Sequence, residues 1–128
     1  MTGYRSKFFR HDCADGCYVE NLPSWDDLIE CFPRRIRPTD IDGFVEINDH
    51  LLFLEEKCAG RGPDPGQRKA LAALATRPRV TTVFFRPGSA SELEVLIFPN
   101  PEGWKPVTRS WFKDWLRAWV TNAERAAA

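Results

Sequence analysis

Residues 37–57 read RPTDIDGFVEINDHLLFLEEK. Two apolar runs, IDGFVEI and LLFLEE, flank a polar NDH tip. Val, Ile, Phe and Leu in short runs around such a tip predict a β-hairpin, with strands over 40–47 and 51–57. Asp42 lies inside the first run, and Glu55, Glu56 and Lys57 close the second. Three carboxylates and an ammonium group thus stand against one of the most apolar segments of the chain.

Working outward, SWDDLIECF at 24–32 predicts a short helix. Ser24 is placed to cap it, acids fill its first turn, Pro33 stops it, and Trp25, Leu28, Ile29 and Phe32 form its apolar side. After the hairpin comes the Gly/Pro loop AGRGPDPG. A second helix starts at Asp64 or Pro65 and runs to about Thr76. RPRVTTVFF gives a strand over 79–86 and ELEVLIF another over 92–98. NPEGWKP reads as a loop. A last helix covers 108–124, with Thr108 or Ser110 at its start. The order predicts an α/β (α+β) domain, a small mixed sheet flanked by helices. A chain of 128 residues, 43% apolar and 12% aromatic, is the size of one domain with a real core. We therefore expect a single domain over 1–128, with its core at about 24–98.

Side chains alternate along a strand, so Glu55 and Lys57 share one face and Glu56 takes the other. The turn decides what Asp42 meets. A two-residue turn at Asn48-Asp49 sets Asp42 opposite Glu55. One at Asp49-His50 sets it opposite Lys57, and a three-residue turn sets it opposite Glu56. Directly opposed residues have Cβ atoms about 4.5–5.5 Å apart. Carboxylates that close repel one another and are expensive to desolvate. A divalent cation removes both penalties. Mg²⁺ takes one or two protein carboxylates and fills its other positions with water or phosphate oxygen. Lys57 then stands where it can meet an attacking water or a phosphate. This is the residue set of metal-assisted phosphodiester hydrolysis.

Asp42 on one strand, with Glu55-Glu56-Lys57 ending the next, resembles the PD-(D/E)xK nuclease superfamily. GRGPDPGQRKALAAL at 60–74 resembles the helix after that motif in Holliday-junction-resolvase-like and virus-type replication-repair nuclease domains. There an early Gln faces the active site and a Leu four residues later faces the core, here Gln67 and Leu71. The match spans about residues 24–86. Asp42 follows Ile rather than the Pro of the motif's name, and Asp40 competes with it for the first acidic position.

The resemblance implies a restriction-endonuclease-like core and a Mg²⁺- or Mn²⁺-dependent deoxyribonuclease. The substrate expected is branched or single-stranded DNA, as in repair or recombination. Asp42 and Glu55 would hold the metal with the main-chain carbonyl of Glu56. Lys57 would orient the water, and Gln67 would position water or phosphate. An additional acid from the first helix is expected at Glu30. The alternative is the same fold kept as a non-catalytic nucleic-acid-binding or protein-interaction module.

Eighteen basic residues balance eighteen acids, so net charge neither suggests nor excludes nucleic acid. Thirteen of the eighteen are Arg, the better residue for gripping phosphate with a planar fork. Arg61, Arg68 and Lys69, beside the expected site, and Arg35 and Arg37, leading into the first acidic strand, are the expected DNA-backbone contacts. Trp111, Trp115 and Trp119 recur every four residues, which predicts a face packed on the sheet, with a homodimer surface as the sharper alternative. Cys13 and Cys17 have a spacing that structural zinc sites use, but His11 lies too close to Cys13 and Cys31 falls in the predicted helix, so small buried thiols are expected instead of zinc. MTGYRSKFFRHDC carries no apolar leader, and no run approaches a membrane span, so a cytoplasmic, membrane-free protein is expected.

Overall fold

The hairpin turn sets the register of everything that follows. Asn48 and Asp49 have φ of 49° and 66°, the doubly left-handed conformation of a two-residue turn whose twist suits antiparallel strands. Asn and Asp enter that region more readily than most residues. The Asp49 N–H is also held by the Glu46 carboxylate at 3.0 Å. Strand β1, Gly43–Ile47, therefore pairs with β2, His50–Glu56, from Ile47 opposite His50 to Gly43 opposite Leu54. Of the three turns open in the sequence, this is the one at Asn48-Asp49.

The computed structural model describes residues 28–36, 38–39, 41–90 and 92–125. The chain divides into two units, Met1–Asp40 and Ile41–Ala128. In the first, Ile29–Cys31 forms a single 3₁₀ turn, and Pro33–Arg35 forms a turn in which Arg34 and Arg35 are left-handed at φ 56° and 55°. Residues 24–27 of the expected helix lie outside the described residues. Its described end is a 3₁₀ turn with Ile29 buried, while Leu28 and Phe32 are exposed, so the expected apolar side is not formed there. The cause is local. A residue before proline is pushed out of helical space, and Phe32, preceding Pro33, is extended at φ −113°, ψ 148°.

The second unit is an α+β fold. Helix α1, Pro65–Leu74, links β2 to β3, Val80–Pro87. Strands β4, Leu93–Phe98, and β5, Lys105–Val107, follow, and helix α2, Arg109–Arg125, ends the unit. The sheet runs β1-β2-β3-β4-β5. Only β2 and β3 are parallel, as a helical crossover between them allows. Strand β5 corrects the reading of NPEGWKP as loop throughout. A three-residue edge strand containing Pro106 has neither the length nor the alternation to announce itself.

β3 is buried on both faces, as a central strand must be. Val83 and Phe85 join Leu52, Val95 and Phe112 under α2, with Trp111, Trp115 and Trp119 packed against that cluster. Phe84 joins Leu96, Phe98, Leu71 and Ala75 under α1. The tryptophan repeat is thus a packed helix face, and Leu71 faces the core. Thr82, wholly buried, donates its hydroxyl to the Leu71 carbonyl at 3.2 Å and ties α1 to the sheet. Asp64 occupies the N-cap position of α1 without a side-chain cap bond, and Pro65 takes the first turn. At α2, Thr108 Oγ1 accepts the Trp111 N–H at 3.0 Å, so Thr108 rather than Ser110 is the cap.

Candidate functional site

Beyond Gly43 and Leu54 the ladder ends, and the next opposed pair is Asp42 and Glu55. They close the sheet end crosswise. The Asp42 N–H donates to Glu55 Oε1 at 3.0 Å, and the Glu56 N–H donates to Asp42 Oδ2 at 2.9 Å. Each carboxylate is therefore fixed by the main chain of the opposite strand. Glu55 pairs with Phe84 across the parallel ladder, which places it on the sheet face covered by α1. From the first turns of α1, Gln67 Nε2 donates to Glu55 Oε2 at 2.7 Å. Lys57, two residues along and on the same face, brings Nζ to 3.5 Å from the same oxygen.

The environment of Glu55 opposes its own ionisation. The residue is only 5% exposed. Burial raises its pKa above the usual 4.5, and the negative charge of Asp42 raises it further. The Gln67 amide, the Asp42 N–H and Lys57 pull the other way without cancelling this. Gln67 Oε1 is buried and has no hydrogen-bond partner among the described residues. Such an orphaned acceptor, one bond away from a disfavoured carboxylate, marks a place where a donor such as water is wanted.

The expected residues are distributed as follows. Asp42, Glu55, Lys57 and Gln67 come together. Asp40 and Arg37 lie outside the described residues, as do His11, Cys13 and Cys17. Glu30 and Arg35 are exposed and belong to the Met1–Asp40 unit. Arg61 is exposed in the turn that follows Lys57. Arg68 and Lys69 are exposed on α1, with the Arg68 guanidinium 5.3 Å from the centroid of the Phe98 ring. Cys31 and Cys58 are free and exposed, which corrects the expectation of a buried thiol at Cys31. The polar turn and strand-end positions they occupy outweigh the usual preference of Cys for the interior.

No family model, no curated protein and no solved structure matches the chain. The site therefore stands on its own chemistry. Among the described residues no three His, Cys, Asp or Glu side chains are grouped to hold a metal. A closed all-protein cage is thus not built from these residues. Mg²⁺ and Mn²⁺ need no such cage, since they take one or two protein carboxylates and fill their other positions with water or phosphate. Each carboxylate oxygen also has more than one acceptor direction, so the main-chain bonds to Asp42 and Glu55 do not exhaust them.

Arg86 was not legible as part of this neighbourhood. It follows Phe85, whose carbonyl accepts the Lys57 N–H at 2.8 Å, and so stands beside Lys57. Its guanidinium donates to Glu94 Oε1 and to the Arg61 carbonyl, each at 2.8 Å, and lies 3.8 Å from the Trp104 ring centroid. The one signal in the sequence is an Arg at the end of an otherwise apolar strand.

Proposed function

We propose that the Ile41–Ala128 unit is a metal-dependent nuclease of PD-(D/E)xK type, with a restriction-endonuclease-like core, acting on DNA phosphodiester bonds. The observation that carries the reading is the crosswise closure of Asp42 and Glu55, with Lys57 and Gln67 converging on one oxygen of Glu55. Asp42 and Glu55 would hold Mg²⁺ or Mn²⁺, with the Glu56 carbonyl as third protein donor. The bound cation supplies a water of lowered pKa and neutralises charge on the phosphate. The chain does the rest. Lys57, an ammonium fixed at the carboxylate, offers its protons to the incoming water or to a phosphate oxygen. Gln67 holds Glu55 with its amide nitrogen and presents its oxygen, which has no partner among the described residues, to a water proton. Arg61, Arg68 and Lys69 supply the sequence-independent grip on the DNA backbone.

The test is cleavage of labelled single-stranded, duplex and four-way-junction DNA with Mg²⁺, with Mn²⁺ and with EDTA. Wild type runs beside Glu55→Gln and Lys57→Met. Metal-dependent cutting by wild type, lost in both variants, is the expected result. Wild type that binds DNA in all conditions and cuts in none would sink the enzyme and leave a nucleic-acid-binding module.

A further inference from the structure

The turn after Lys57 has little packing of its own. Among the described residues a Cβ added at Gly60 or Gly62 would meet nothing within 4 Å, and Gly60 is left-handed at φ 72°. Yet Arg61 between them is held at both main-chain polar groups. Its N–H donates to the Cys58 carbonyl at 3.0 Å, and its carbonyl accepts Arg86 Nη1 at 2.8 Å. The first bond closes the turn on itself. The second fastens it to the sheet.

Arg86 is built for fastening rather than for binding. Glu94 opposes it in the β3–β4 register and takes Nε at 2.8 Å, and Trp104 covers its guanidinium at 3.8 Å. Its side chain is 14% exposed. A guanidinium fixed by a carboxylate, a carbonyl and an aromatic ring, from three separate segments, has little freedom to follow a substrate.

We infer that Arg86 is a positioning residue: it sets the Cys58–Arg61 turn, and thereby the point at which the Arg61 side chain meets a backbone phosphate of the bound strand. Arg86 itself touches no substrate. The phosphate half of the inference rests on the nuclease reading, whereas the turn half does not.

Two measurements separate these halves. The first is tryptic nicking of the native protein at Arg61–Gly62, which needs neither DNA nor metal. Arg86→Lys keeps a positive charge for Glu94 but loses the planar fork that reaches Arg61. Nicking is expected to rise by about tenfold or more, the loss of one charge-assisted hydrogen bond, with far-ultraviolet circular dichroism unchanged. An unchanged nicking rate in a folded variant overturns the inference. Should Arg86→Lys not fold, Glu94→Gln, which loosens Arg86 at its other end, takes its place. It is expected to nick at a rate above wild type, and a wild-type rate again overturns the inference.

The second is binding of labelled duplex DNA with Ca²⁺ across a salt series. Arg61→Ala and Arg86→Lys are each expected to lower the salt slope by about one phosphate contact. The double variant is expected to match Arg61→Ala alone. Additive losses would show that Arg86 acts elsewhere, a result that general loosening of the fold also gives, and would refute the phosphate half. Wild type that binds no DNA removes the nuclease reading and the phosphate half together, and the nicking arm still decides the turn.

Discussion

Replacing Glu55 separates what its carboxylate does for the fold from what it would do for a cation. Its two oxygens accept the Asp42 N–H and Gln67 Nε2. Glu55→Ala removes both acceptors at a position only 5% exposed. Each orphaned donor costs about 1–3 kcal/mol. The gross loss is therefore about 2–6 kcal/mol, reduced by removing a charge that burial and Asp42 disfavour. Each kcal/mol is worth about 3–6 °C in Tm for a chain of this size. Glu55→Gln behaves differently. One oxygen still accepts the Asp42 N–H, and the new amide donor is met by Gln67 Oε1 once that amide turns over, which exchanges a buried acceptor lacking a partner among the described residues for a buried donor in the same place. The variant is expected to be at least as stable as wild type at neutral pH without metal. The pH dependence follows from the raised pKa of Glu55. The native state binds the proton more tightly than the unfolded chain, so this contribution is fully present below the usual value of 4.5 and is lost as pH rises through the raised value. The advantage of Glu55→Gln over wild type therefore grows through that window. A divalent cation reverses the order. At ten times its Kd it stabilises wild type by about 1.4 kcal/mol, or about 4–8 °C, and Glu55→Gln by almost nothing. Thermal unfolding of the three proteins over a pH series, with and without MnCl₂, reads all of this. The reasoning fails if Glu55→Gln falls as far as Glu55→Ala, or if Mn²⁺ raises its Tm as much as that of wild type.

Lys57→Met is expected to fold and to keep the Mn²⁺ shift in Tm, since it removes a cation 3.5 Å from Glu55 Oε2, while cutting is lost; a lost Tm shift would make Lys57 part of the metal site instead. A Gly inserted between Asn48 and Asp49 makes Asn48-Gly the two-residue turn, sets Ile47 opposite Asp49 and so brings Asp42 opposite Leu54 instead of Glu55; circular dichroism should still show the sheet, and the Mn²⁺ shift should vanish. Phe112→Ala, at a residue packed on Phe85 and stacked on Trp115, should cost about 3–5 kcal/mol in urea unfolding, against about 1 kcal/mol for Thr108→Ala at the helix cap.

What the sequence showed and what it hid divide along physical lines. Runs of Val, Phe and Leu gave the strands because burial and alternation are written residue by residue. The choice among three turns was hidden, because it depends on backbone angles at Asn48 and Asp49 that differ little in composition from the neighbouring options. Once that turn is set, the meeting of Asp42 and Glu55 follows by counting. Gln67 was legible only through the likeness of its helix to a nuclease motif. Arg86 gave only the signal of an Arg ending a strand, since Arg61 and Trp104 lie far from it along the chain and the nearby Glu94 does not by itself record their convergence. Strand β5 was hidden by its length, and the end of the first helix by the reach of Pro33 over Phe32.

The charges at the hairpin's open end have a structural task and an excess beyond it. Where the ladder stops, the Asp42 and Glu56 N–H groups need acceptors, and the Glu55 and Asp42 side chains provide them. An Asn and a Gln would provide the same acceptors with no net charge. Two carboxylates instead bring mutual repulsion and the burial of Glu55, and the raised pKa of Glu55 is the mark of both. Lys57, at 3.5 Å and itself partly exposed, does not cancel them. Hydrogen bonding therefore accounts for oxygen atoms at these two positions but not for their charge. The proposed divalent cation accounts for the charge, and an assay that varies charge while keeping the acceptors, as Glu55→Gln does, is the one that discriminates between a closed sheet end and a site.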